Sequence, residues 1–111
     1  MIRSDKDIIH KGLRLFWTSN CSNVSGIDPA FSRTLRNELV HLDSATSLSD
    51  IQSGLGITKR AKPLTGHTNR YSMEINGNWR LTFTCDDPLT GIVTQIDIED
   101  LHRKGGAKKH S

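Results

Sequence analysis

The first half of the chain carries apolar residues at the three- and four-residue spacing of amphipathic helices. The first such stripe consists of Ile9, Leu13, Phe16 and Trp17. Ser4 followed by Asp7 forms the capping pattern that opens a helix. The sequence therefore predicts a helix over about residues 5–17.

The second helical segment begins at Asp28 and has the clearer start signal. Asp28 is a favourable N-cap, and Pro29 suits the first helical position because an N–H there would have no partner. The apolar stripe that follows consists of Phe31, Leu35, Leu39 and Leu42. Ser47 and Asp50 predict one further short helical turn.

Beyond Gly54 the pattern changes to short alternating segments. A basic connection punctuated by Gly and Pro comes first, and it contains Lys59, Arg60 and Lys62. The segments 70–76, 79–84 and 92–100 are then predicted to be strands, with CDDPLTG as the loop between the last two.

The register of the first hairpin follows from side-chain pairing. A two-residue turn would place Glu74 opposite an apolar residue, either Trp79 or Leu81. The three-residue loop Asn76-Gly77-Asn78 gives only apolar pairs on that face, namely Ile75 with Trp79, Met73 with Leu81 and Tyr71 with Phe83. We therefore predict the three-residue loop, which places Glu74 directly opposite Arg80.

This register divides the predicted sheet into an apolar and a polar face. The apolar face packs on the helices and consists of Tyr71, Met73, Ile75, Trp79, Leu81 and Phe83, joined by Ile92, Ile96 and Ile98. The polar face consists of Arg70, Ser72, Glu74, Arg80, Thr82 and Thr84. An antiparallel return of the last strand is expected to bring Asp100 and His102 toward the Arg80 end.

Composition indicates one globular domain with a modest core. The 111 residues are 34% hydrophobic and 24% charged, with no apolar run of membrane-spanning length and no signal-peptide pattern. We expect a cytoplasmic protein without a membrane association. Cys21 and Cys85 are expected to be free thiols, and no metal site or cofactor is predicted because the cysteines and histidines lack ligand spacing.

The formal charge of +3 is concentrated at the C-terminus. The four basic residues after position 102 leave 11 basic and 12 acidic residues in the remainder, a net charge of −1. We expect residues 1–102 to form the domain and residues 103–111 a disordered basic tail. The tail either attracts nucleic acid weakly or only aids solubility.

The polar face has the residue types needed to hold and cleave a phosphodiester. An arginine offers a forked donor to phosphate oxygens, and a histidine moves protons near neutral pH. The candidates are Arg70, Arg80, Lys62, Asp100 and His102. Each also has a simpler interpretation: Arg80 as an ion pair with Glu74, His102 as a surface residue, and the lysines and arginine of positions 59–62 as a solvated loop.

Five motifs, in order along residues 1–102, resemble the HigB toxins, the plasmid-maintenance branch of the RelE/ParE superfamily. They are MIRSDKDIIHKGLRLF, LDSATSLSDI, KPLTG, YSMEINGNWRLTF and EDLH. The resemblance implies an α+β, compact RelE-like fold with two N-terminal helices packed on a small antiparallel sheet. It also implies a metal-independent, ribosome-dependent endoribonuclease that cuts mRNA in the A site and inhibits translation.

The resemblance further implies partners and residue roles. The neutralising partner would be a HigA-type helix-turn-helix antitoxin, and operator DNA would be contacted only through that antitoxin. Arg80 maps onto the arginine that binds the scissile phosphate, and Asp100 and His102 map onto the terminal acid and histidine. Lys62 occupies a position where some members have a catalytic histidine. Lys59, Arg60 and Arg70 are expected to guide RNA.

Three positions depart from the family pattern in a direction that weakens cleavage. Leu101 replaces a tyrosine, Thr65 replaces a phosphate-contacting lysine, and Glu74 places a carboxylate opposite Arg80. Three functions therefore stay open: an attenuated mRNA endonuclease, a protein of the same fold that binds an antitoxin without cutting RNA, and a gyrase-directed toxin like the ParE proteins of the superfamily.

Overall fold

A computed structural model describes residues 1–53 and 61–101. Its helices are α1 (Lys11–Thr18), α2 (Ser32–Ser44) and α3 (Leu48–Gln52), with 3-10 turns at Asp5–Asp7 and Pro29–Phe31. Its strands are β1 (Lys62–Pro63), β2 (Arg70–Asn76), β3 (Trp79–Thr84) and β4 (Thr94–Asp100). The strands form an antiparallel sheet in the order β1-β2-β3-β4. The predicted α+β class is confirmed.

The first helix is shorter than predicted. Ser4 and Asp7 form the expected capping box, but it opens only one 3-10 turn. Ile8 then forms a parallel bridge with Ile96 of β4 and is completely buried. The helix restarts after His10, whose side chain caps α1. The prediction of one helix over 5–17 was wrong because burial of an extended Ile8 beside β4 competes with the helical pattern.

The predicted caps at Asp28 and Ser47 are both formed, although Asp28 opens a 3-10 turn and α2 itself begins at Ser32 without a side-chain cap. The Asp28 carboxylate accepts a hydrogen bond from the Ala30 amide at 2.9 Å, and the 3-10 turn that it opens leads directly into α2. Ser47 caps α3 through the Asp50 amide at 3.1 Å. Here local polar contacts that are visible in the sequence decide where the elements begin.

The hairpin of β2 and β3 has the predicted register except at its tip. Tyr71 pairs with Phe83, Met73 with Leu81, and Glu74 with Arg80. At the tip, however, Trp79 pairs with Asn76, so the turn has two residues and Ile75 is the extra residue of a β-bulge. The bulge reconciles a tight turn, with Gly77 at φ +58°, and a buried Ile75.

The outer strands also differ from the prediction. β4 begins at Thr94 rather than at Ile92, and a second bulge separates the Thr82 and Thr84 pairs where Gln95 has φ +50°. Val93 therefore takes a completely buried position, while Ile92 is only partly buried. The short strand β1, which pairs with β2 over two residues, was not predicted from the sequence pattern.

The core lies between the helices and the apolar sheet face. Its largest completely buried side chains include Phe16, Phe83, Leu35, Leu39, Met73 and Leu81. Ile96 and Ile98 join this layer as predicted, Ile98 only partly buried. In the described part of the chain, no helix has the length and apolarity needed to cross a bilayer.

Candidate anion-binding face

The polar face predicted from the hairpin extends in the structure across all four strands, and consists of the residues that alternate away from the core. The pairing places ten residues on it: Lys62, Arg70, Ser72, Glu74, Arg80, Thr82, Thr84, Thr94, Asp97 and Glu99. Three of these side chains are basic and three are acidic, so their formal charges cancel. Any anion binding must therefore depend on how the individual charges are paired.

Arg80 is paired with a carboxylate residue on each side, yet it forms an ion pair with neither. Its cross-strand partners are Glu74 on β2 and Glu99 on β4. Its Nη1 donates to the carbonyl oxygens of Gly77 at 2.5 Å and Trp79 at 3.0 Å. Within residues 1–53 and 61–101, no acceptor contacts Nε or Nη2, and no carboxylate lies within ion-pair distance. These two donors form the edge that binds phosphate in a forked geometry.

Arg70 is bonded to the sheet instead of being open to a ligand. Its Nη1 donates to Thr84 Oγ1 at 3.0 Å and to the Gln95 carbonyl oxygen at 2.8 Å. Its Nη2 donates to Thr82 Oγ1 at 2.8 Å and forms an ion pair with Glu99 Oε2 at 3.2 Å. The side chain crosses from β2 over β3 to β4 and is 13% exposed. We therefore interpret Arg70 as structural rather than as an RNA guide.

Glu99 and Thr82 also belong to this site, although the sequence pattern did not single them out as functional residues. The Glu99 carboxylate accepts from Arg70 and also from the Thr82 hydroxyl, at 2.8 Å. Thr82 has no exposed surface. The signal available in the sequence was the alternation of side chains along a strand. Because Glu99 and Asp100 are adjacent, they must point to opposite faces of the sheet, so only one of them can lie on the face of Arg80.

Asp100 reaches the expected end of the sheet but lies on the opposite face from Arg80. Its partner is Trp79, which belongs to the apolar face and is 40% exposed. The expectation that Asp100 joins Arg80 is corrected here, because adjacent residues of β4 point to opposite sides. The Leu101 amide donates to the Asn78 carbonyl oxygen at 2.8 Å, so the pairing continues past β4. His102 lies outside the described residues.

The other basic candidates lie at the far edge of the sheet or outside the described residues. Lys62 is exposed on β1, opposite Ser72. It is two strand spacings from β3, about 10 Å across the sheet. Thr65 is exposed in the turn that follows β1. Lys59 and Arg60 lie outside the described residues, so the structure gives them no position.

The cysteines do not contribute a reactive group. Both are free thiols, as predicted. Burial raises the pKa of Cys21, with Arg36 opposing the shift, and burial also raises the pKa of Cys85. A raised thiol pKa is the opposite of what an activated nucleophile needs. Among the residues that the structure describes, no cluster of three potential metal ligands occurs.

Comparison of the chain with protein-family models and with curated proteins found no match.

Proposed function

We propose that the protein is the toxin of a type II toxin–antitoxin pair, of the HigB type, and that it cuts mRNA on the ribosome with weak activity. The proposal includes a RelE-like fold, a cytoplasmic location and a HigA-type antitoxin as partner. Its support is the set of HigB-like motifs together with one geometric observation. Arg80, in the Trp-Arg motif, has a guanidinium edge without an acceptor in the described part of the chain.

Arg80 supplies the phosphate-binding step of this proposal. Its Nη1 is tied to the Gly77 and Trp79 carbonyl oxygens, which orients the guanidinium and leaves Nε and Nη2 for a phosphate. Such a fork binds two phosphate oxygens and stabilises the charge that develops during cleavage. Removing one preorganised donor of this kind costs about 10²–10³ in rate.

Proton transfer is the weaker part of the site. The polar face, as the structure describes it, contains no histidine or tyrosine side chain. Leu101 cannot transfer a proton, so this step is assigned to His102 on the basis of the family pattern, with Lys62 supplying positive charge. Loss of a general acid or base costs about 10²–10⁴ in rate. For this reason the proposed activity is weak.

A second candidate function is a protein of the same fold that binds an antitoxin without cutting RNA. The observation that favours it is the cancellation of charge on the polar face, where Glu74, Asp97 and Glu99 offset the three basic residues. A neutral face lacks the electrostatic attraction that draws proteins to a phosphate backbone.

The test is cleavage of mRNA on purified 70S ribosomes with a programmed A-site codon. Wild type is expected to cut slowly, and Arg80→Ala to reduce the rate by about 10²–10³. The matched control is Arg33→Ala, which removes the same charge from an exposed position of α2. Cutting that survives Arg80→Ala unchanged contradicts the proposal.

Leu101→Tyr separates the two candidates. If wild type does not cut and Leu101→Tyr does, the fold has kept its substrate site and lost its proton chemistry, which supports the second candidate. If neither cuts, while the protein still binds a HigA-type antitoxin, the endonuclease proposal is overturned and the binding function remains.

A further inference from the structure

Arg80 lies between two carboxylate residues that do not neutralise it. Directly paired residues of an antiparallel sheet have Cβ atoms about 4.5–5.5 Å apart, which is close enough for long side chains to form an ion pair. Glu74 and Glu99 both have this relation to Arg80. The ion pair found among the described residues is nevertheless the one between Arg70 and Glu99.

The Glu99 carboxylate is directed along the sheet, away from Arg80. Its Oε2 accepts from Arg70 at 3.2 Å and from Thr82 at 2.8 Å. Both donors lie toward the end of the sheet where Arg70 pairs with Thr84, far from the hairpin turn. Arg80 points the other way, since its Nη1 bonds to the turn carbonyl of Gly77. The two side chains thus diverge from neighbouring positions.

The two side chains that donate hydrogen bonds to Glu99, Thr82 and Arg70, have little or no exposure to water. Thr82 has no exposed surface, so its hydroxyl has a fixed environment without competing water. The Arg70 guanidinium is itself anchored by Thr84 and by the Gln95 carbonyl oxygen, and its side chain is 13% exposed. Charge-assisted hydrogen bonds with limited access to water are stronger than exposed ones.

We propose that Arg70 and Thr82 hold the Glu99 carboxylate away from Arg80 and thereby keep the Arg80 guanidinium available to an anion. Arg70 is then a positioning residue that does not touch the ligand. The identity of the anion, an RNA phosphodiester, rests on the function proposed above. The direction of the Glu99 side chain does not depend on that function. The positioning role of Arg70 and the proposed RNA function can therefore be disproved separately.

Arg70→Gln is the variant that tests this arrangement. It removes the cation that binds Glu99, and Arg80 is then the nearest cation in the pairing of the sheet. An Arg80–Glu99 pair would occupy the edge that an anion needs. The anion would then lose its hydrogen bond to the charged Arg80 guanidinium, so its affinity is expected to fall about ten- to a hundredfold.

The binding experiment uses a 2′-O-methylated RNA trinucleotide, which cannot be cleaved, titrated into the full-length protein. Glu99→Gln alone is expected to bind as well as wild type or better. The double variant Arg70→Gln/Glu99→Gln is expected to regain wild-type affinity. A second double variant, Arg70→Gln/Asp86→Asn, restores the same net charge at an exposed loop position and is expected to stay weak. Equal rescue by both double variants overturns the proposal.

A readout without RNA separates this inference from the proposed function. In Arg70→Gln, the NMR signal of Arg80 Nε–H is expected to shift and to exchange more slowly with solvent, and Glu99→Gln is expected to reverse both changes. If these changes occur and no variant binds RNA, the positioning role stands and the RNA function fails. If they are absent, the positioning role is overturned.

Thr82→Val provides the same test should Arg70→Gln fail to fold. It removes one of the two bonds to Glu99 and keeps the shape of the side chain. The Arg80 signal and the RNA affinity are expected to change in the same direction as in Arg70→Gln, but by a smaller amount. An Arg80 signal identical to that of wild type in folded Thr82→Val contradicts the proposal.

Discussion

The hydroxyl of Thr82 donates a hydrogen bond to Glu99 Oε2 at 2.8 Å, from a side chain that has no exposed surface. The Thr82 Oγ1 in turn accepts a hydrogen bond from Arg70 Nη2 at 2.8 Å. One threonine in the middle strand therefore joins a cation from β2 to an anion from β4. The three side chains thus form one partly buried network across β2, β3 and β4, which includes the ion pair of Arg70 with Glu99.

Thr82→Val is expected to lower the free energy of unfolding by about 1–3 kcal/mol, because both charged partners lose a partly buried hydrogen bond while the shape of the side chain is kept. Urea unfolding monitored by tryptophan fluorescence measures this change. The matched control is Thr94→Val on β4, for which no hydrogen bond of the side chain occurs within the described residues. Equal destabilisation by both variants would show that the network contributes little.

Gly12→Ala is expected to destabilise the protein by about 1–3 kcal/mol. A Cβ at Gly12 would lie 1.9 Å from the carbonyl oxygen of Gly26, so the two backbones must separate. At an exposed helical position the same change would stabilise by up to about 1 kcal/mol, so the sign of the effect identifies the contact. Lys11→Ala, at the exposed neighbouring position of α1, serves as the control in the same urea experiment.

Asp50 is expected to make stability depend on pH in the acid range. Hydrogen bonds from the Thr46 hydroxyl and amide lower the pKa of this carboxyl below its usual value. Because the pKa of Asp50 is lower in the folded protein than in the unfolded chain, the ionised carboxylate stabilises the fold at any pH above the ordinary aspartate pKa of about 4. This stabilisation is lost as the pH falls through the pKa of the folded protein. The difference in the free energy of unfolding between wild type and Asp50→Asn should therefore become smaller as the pH falls below the ordinary aspartate pKa.

The measurement for Asp50 is thermal unfolding of both proteins from pH 7 downward. Asp86→Asn, an exposed change of equal charge in the loop after β3, is the control for general acid effects. If the difference in unfolding temperature between wild type and Asp50→Asn stays constant across the acid range, the hydrogen bonds from Thr46 do not favour the ionised carboxylate of Asp50.

Glu74→Gln is expected to raise the affinity of the polar face for RNA. Glu74 is the cross-strand partner of Arg80, and its carboxylate repels a phosphate that approaches the guanidinium. Two unit charges about 4 Å apart interact by about 1 kcal/mol in water, which corresponds to about a fivefold change in affinity. The gain should shrink as salt rises.

Asp86→Asn is the matched control for Glu74→Gln, because it changes the net charge equally at a position away from Arg80. The affinity of both variants for the uncleavable trinucleotide would be compared by fluorescence anisotropy at low and high salt. If Asp86→Asn produces the same gain, the effect of Glu74 is one of net charge and not of its place beside Arg80.

Several features of the site were predictable because they depend on near neighbours in the chain. The pairing of Glu74 with Arg80 follows from the requirement that apolar residues of one hairpin share a face. The caps Ser4, Asp28 and Ser47 depend on contacts within three residues. Such features need no knowledge of the rest of the fold.

The bulges and the helix boundary were not predictable in this way. Ile75 is buried although it lies outside the regular pairing of the hairpin, and Gln95 adopts a left-handed backbone that shifts β4 against β3. Ile8 leaves the helical pattern because β4 offers it a buried edge. Each outcome depends on a segment that is distant in the sequence, so a local pattern does not contain it.

The sequence by itself determined the α+β class, the apolar and polar faces of the hairpin, and the position of Arg80 opposite Glu74. Only the tertiary structure decided how the charges pair. Arg70 and Glu99 are 29 positions apart, and their ion pair forms because β3 brings β2 and β4 to either side of Thr82. The alternation of β4 in that register places Glu99, and not Asp100, on the face of Arg80. Hydrophobic periodicity sets which face a side chain occupies, whereas the choice among several possible ionic partners depends on distances that only the assembled sheet defines.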